Sequence, residues 1–167
     1  MFRGCVSLAA APKLPATELA LGCYGGMFCG CTALTRAPEL PATTLAARCY
    51  QKMFSGCTSL VAATAPAAAA MAYACCQQMY AGCTALTAAP ELPAKVLAPA
   101  CYAKMFAGCA GLTRAPRLPA TELEKLCYME MFSGCVALTD APDLPTGSRP
   151  WGCCQDMFAG CGKLTGG

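Results

Sequence analysis

The chain has 167 residues, 12 of them basic and 9 acidic, a net charge of +3 and no histidine. Lys and Arg stand singly, without the stripe that nucleic-acid binding needs, and the missing imidazole excludes a Cys-His nucleophile. Only 13% of positions are charged, about half the roughly 25% of a typical soluble domain, so part of the surface is expected to be covered by something.

The chain repeats itself every 26 residues. Met recurs at 1, 27, 53, 79, 105, 131 and 157, each followed by Phe except at Tyr80. Gly-Cys follows at 4–5, 30–31, 56–57, 82–83, 108–109, 134–135 and 160–161, and Leu closes the motif at 8, 34, 60, 86, 112, 138 and 164. A fixed period of this size marks a stacked array. The units are 1–26, 27–52, 53–78, 79–104, 105–130, 131–156 and a partial 157–167.

The second unit serves for all. Residues 35–41, Thr-Arg-Ala-Pro-Glu-Leu-Pro, hold two prolines, which exclude a helix interior and a central strand and predict a short extended segment. After Pro41, Leu45, Cys49 and Met53 fall at i, i+4 and i+8, with Ala46, Tyr50 and Phe54 one step round. That stripe predicts a helix of about three turns. Thr43 would be its N-cap, Gly56 its left-handed C′ residue and Cys57 the residue packing back; in the fifth unit Thr121 and Glu124 fit a capping box. Extended segments stack at about 4.8 Å and helices at about 8–10 Å. The expected fold is therefore an α/β solenoid, leucine-rich-repeat-like, with one extended segment and one helix per unit in a curved stack. Its core ladder would be Cys31, Cys57, Cys83, Cys109 and Cys135 beside Leu34, Leu60, Leu86, Leu112 and Leu138.

The motif Met-Phe-Ser-Gly-Cys-Thr-Ser-Leu (53–60), with Leu40-Pro41 as the later part, resembles the leucine-rich repeats of the BspA-like, Treponema type, in which Ala-Phe-x-x-Cys-x-x-Leu introduces an extended segment ending in Pro. The resemblance covers the whole chain. It departs in unit length, which is usually shorter in that family, and in Ala37-Pro38 where the family favours Ile. It implies a cell-surface or extracellular repeat protein that binds host or matrix proteins, although no signal peptide is visible.

Two units depart from the pattern. In the third, Thr64, Pro66, Ala67 and Met71 replace Pro, Leu, Pro and Leu. In the sixth, Arg149 takes a Leu position beside Trp151, the only Trp and a candidate partner anchor. No charge lies between Lys52 and Glu91, but Pro66 and the undisturbed period argue against a membrane span. Neither end shows a polar capping unit. Met1 sits in the repeat frame, as it would in a piece of a longer chain.

Thirteen of the 16 cysteines lie in two columns, one after Gly and one at 23, 49, 75, 101, 127 and 153. Side chains in a column run parallel, an arrangement that suits disulfides poorly, so they read as reduced core ladders, with cross-column pairs as the alternative. Cys29, Cys76 and Cys154 stand outside and could bridge to each other, to a partner or to a metal.

No cofactor, metal or catalytic set is expected. Two variable positions per unit supply the candidate inner-face binding residues Lys13, Arg36, Glu39, Glu91, Arg114, Arg117, Asp140 and Asp143. A Thr row at 35, 87, 113, 139 and 165 runs beside them and makes a glycan a further candidate. The functional expectation is a non-enzymatic protein-interaction or structural repeat protein, meeting a partner or neighbouring copies through the inner face or uncapped ends. The alternative is a polymerising or permanently docked subunit of a larger assembly.

Overall fold

A computed structural model describes residues 1–164. They contain no helix, and their only strand-like residues are nine that form isolated parallel bridges, such as Glu18 with Thr44 and Arg36 with Ala62. The expected helix per unit is absent, and with it the α/β solenoid and the leucine-rich-repeat architecture. In their place is a stack of 26-residue coils, each bonded to the next in register.

What replaces the helix is a row of overlapping tight turns. In the first row, which runs over residues 22–31 from the first unit into the second, Cys23, Gly25, Met27, Cys29 and Cys31 donate their N–H to the carbonyl three residues back at 2.9–3.3 Å. The N–H groups between them, on Gly22, Tyr24, Gly26, Phe28 and Gly30, donate to Ala47, Cys49, Gln51, Met53 and Ser55 of the next row, 26 residues on, at 2.8–3.0 Å. Every backbone donor in the row is thereby satisfied, half within the coil and half across it. The sharp turning needs a left-handed residue at every fourth position. Gly22, Gly26 and Gly30 supply it in the first row, and Arg48, Lys52 and Gly56 in the second. The two residues that follow each left-handed one point inward. Thus Cys49 and Tyr50, then Met53 and Phe54, then Cys57 are all buried.

The spacing between coils explains why turns win over a helix. The rings of Phe2, Phe28, Phe54, Tyr80, Phe106, Phe132 and Phe158 form one stack with centroids 5.2–5.9 Å apart and planes within 9°. Side-by-side helices need about 8–10 Å and would pull that stack apart. The turn row keeps sheet-like spacing, so the curvature expected from fanning helices loses its cause.

The core runs along the stack axis. Leu34, Leu60, Leu86, Leu112 and Leu138 are fully buried, as are Cys31, Cys57, Cys83, Cys109 and Cys135. Each of these thiols also donates to a carbonyl in the preceding coil, as Cys57 Sγ does to Phe28 O at 3.1 Å and Cys83 Sγ to Phe54 O at 3.2 Å. The column is therefore one of hydrogen-bond donors as well as small apolar groups. No buried side-chain N or O lacks a partner among the described residues.

Candidate functional site: the proline face

Opposite the turn row, each coil runs through its proline segment. Prolines at 12 and 15, 38 and 41, 90 and 93, 116 and 119, and 142 and 145 carry no N–H, so inter-coil pairing thins to single bonds such as Ala37 N–H to Ala62 O at 2.9 Å. Between the prolines, Leu40, Leu92 and Leu118 point inward and are buried, while the residue before each of them stays outside.

That alternation places all eight charged candidates on one surface. Lys13, Glu39, Glu91, Arg117 and Asp143 form one column, Arg36, Arg114 and Asp140 a second, and each of the eight is exposed. The two columns flank open clefts. One, of 490 Å³, lies between the fifth and sixth coils and is lined by Arg114, Pro116, Arg117, Asp140, Pro142 and Asp143. The other, of 350 Å³, lies between the first and second coils, where Pro12, Pro15, Pro38 and Pro41 are flanked by Lys13 and Glu39. Arg114 Nε approaches Asp140 Oδ2 at 3.7 Å, but both side chains are more than half exposed. A pair so solvated adds little to stability, which leaves both groups open to a partner.

The Thr row lies beside this face. Thr113 Oγ1 donates to Thr87 O at 3.2 Å and Thr139 Oγ1 to Thr113 O at 3.1 Å, tying neighbouring coils together. Thr165 lies outside the described residues. Trp151 is 71% exposed, but on the turn row rather than the proline face, so the two candidate contacts do not form one site.

All sixteen cysteines are free thiols. Burial pushes Cys57, Cys109 and Cys135 up to about 12. Of the three outside the columns, Cys76 is fully buried and Cys29 and Cys154 are half-buried. Among the described residues no three Cys, Asp or Glu groups are arranged to hold a metal ion, and no helix is long and apolar enough to cross a membrane.

Sequence reasoning missed a second charged region, on the turn row around Arg3, Arg48 and Lys52. The sequence did carry a signal for it, since Gly22, Gly25 and Gly26 cluster where the next four coils have side chains. Comparison with family models, curated proteins and solved structures finds no match for this chain.

Proposed function

We propose that the chain is a non-enzymatic interaction module whose partner, a protein, docks along the proline face. The observation that carries this reading is the pair of columns from Lys13 to Asp143 and from Arg36 to Asp140. Their residue type changes from coil to coil while the prolines and leucines between them hold the surface in a fixed register. A rigid frame with changeable exposed positions is the arrangement by which repeat proteins set partner choice.

The test is differential capture on immobilised chain. A protein retained by the wild type and by the turn-row variant Lys125→Ala, but lost from Arg114→Ala/Arg117→Ala/Asp140→Ala/Asp143→Ala, supports docking on the proline face. Equal retention by all three, or none by any, rejects it.

A further inference from the structure

We propose that the cleft on the turn row between the first two coils binds a phosphate monoester. The cleft measures 370 Å³ and is lined by Arg3, Arg48 and Lys52, with Gly22, Gly25 and Gly26 on one wall and Cys29 beside them. Three cations line it and no carboxylate does.

The register explains why these charges stay uncompensated. Groups 26 residues apart lie side by side, so Lys104 finds Glu130 at 3.0 Å in the next coil. Lys52 occupies the same column, but its neighbours there are Gly26 and Gln78. Arg48 stands between Gly22 and Ala74, and Arg3 stands next to Cys29. Neither Arg48 nor Lys52 has a carboxylate above or below it, and Arg3 has none at its neighbour in the next coil. Arg48 is steadied by the ring of Tyr73, 5.5 Å from its guanidinium carbon, so its position is set before any ligand arrives.

The glycines make the space. In the second coil the equivalent positions carry Arg48, Gln51 and Lys52, and in the third Ala74, Gln77 and Gln78. In the first coil all three side chains are missing. A Cβ on Gly25 would lie 3.1 Å from the Gly22 carbonyl oxygen, whereas one on Gly22 would meet nothing within 4 Å. The same turn accommodates Gln51 and Gln77 at the equivalent position in the next two coils, so it is the missing side chains that leave open volume here.

Three cations more than offset the charge of a phosphomonoester, about −1.5 to −2 near neutral pH, and Arg adds forked donors suited to its oxygens. The volume lies within the roughly 300–1,000 Å³ of small-molecule sites, which leaves room for the esterified alcohol. A bare ion would leave most of it empty.

Cys29 reports on the cleft, with the exposed Cys5 and Cys23 as controls in the same molecule. Alkylation by iodoacetamide is followed peptide by peptide at constant ionic strength, with glycerol 3-phosphate, inorganic phosphate or chloride added. Glycerol 3-phosphate is expected to slow Cys29 alone, saturably and at lower concentration than inorganic phosphate. Arg3→Ala/Lys52→Ala should raise the concentration needed about tenfold or more. Gly26→Gln, which fills the cleft with the side chain that Gln78 carries, should abolish protection, and Lys95→Ala should change nothing. Protection of all three thiols alike, protection equal with chloride, or protection unchanged in Arg3→Ala/Lys52→Ala would overturn the site. Equal potency of inorganic phosphate would overturn the assignment to a monoester.

Discussion

The hydroxyl of Tyr80 accepts a hydrogen bond from the backbone N–H of Thr64 at 3.1 Å and donates one to the carbonyl of the same residue at 2.6 Å. Both residues break their columns. Other coils have Pro where Thr64 stands (12, 38, 90, 116 and 142) and Phe where Tyr80 stands (2, 28, 54, 106, 132 and 158). Proline has no N–H to satisfy. Thr64 restores one in a part-buried place, and the added phenol oxygen answers it.

Tyr80→Phe is therefore expected to cost about 1–3 kcal/mol, the penalty for a buried donor left unpaired. Thr64→Pro also loses the bond from Thr64 Oγ1 to Pro38 O, in either background, so a double-mutant cycle cancels that loss. In urea melts, Thr64→Pro/Tyr80→Phe should be more stable than the sum of the single effects predicts. Strict additivity would show that the two residues are not coupled.

The left-handed residues give a test whose sign separates a turn row from a helix. Gln78 has φ 55°, a conformation that costs a residue with a Cβ roughly 1–2 kcal/mol. Gln78→Gly should relieve that strain and raise the melting temperature or leave it unchanged. In a helix the same change would cost about 1 kcal/mol, so a clear fall in stability would argue for helical structure over 72–80.

The period of 26, the buried Leu and Cys columns and the exposed charges at 13, 36, 39, 91, 114, 117, 140 and 143 could all be read from residue positions. The helix was misread for a physical reason. A row of four-residue turns buries residues at i, i+1, i+4, i+5 and i+8, as 49, 50, 53, 54 and 57 show. Over nine residues that pattern drifts less than one position from a 3.6-residue period. Three glycines at 22, 26 and 30 were the discriminating sign, because their spacing of four marks recurring left-handed turns while glycine weakens a helix interior. The cleft beside Arg48 was overlooked although the 26-residue register alone already places Gly22 beside Arg48 and Gly26 beside Lys52.

The buried thiols should make the chain sensitive to alkali. Burial raises Cys127 from its ordinary 9.0 to about 11, and Cys57, Cys109 and Cys135 to about 12. The unfolded chain loses these protons near pH 9 while the folded chain keeps them, so the unfolded state binds fewer protons in that window. Stability is then fully present below pH 9 and falls as pH climbs towards 11–12, by about 1.4 kcal/mol per thiol per pH unit. Urea midpoints should hold between pH 7 and 8 and drop sharply by pH 10. A flat profile across that range would mean that the thiols are not held protonated by burial.

The tyrosine column carries a second compensation, between Cys76 and Met71. Tyr24 stacks on Tyr50 and Tyr102 on Tyr128, at 5.9 and 6.1 Å, but the third coil has Cys76 between these pairs, fully buried. Five residues earlier, where the second, fourth and fifth coils have Leu45, Leu97 and Leu123, stands the longer Met71, whose sulfur accepts from the Tyr102 hydroxyl at 3.4 Å. The sixth coil repeats the exchange, with Cys154 for Tyr and Arg149 for Leu. Met is suited to filling an irregular gap, and here the gap is the one the missing ring leaves. Cys76→Tyr alone should overpack the interior and cost about 1–3 kcal/mol. Cys76→Tyr/Met71→Leu recreates the pairing of the neighbouring coils and should recover most of that loss. If the double variant is no better than Cys76→Tyr, the longer side chain at 71 is not there to replace the ring.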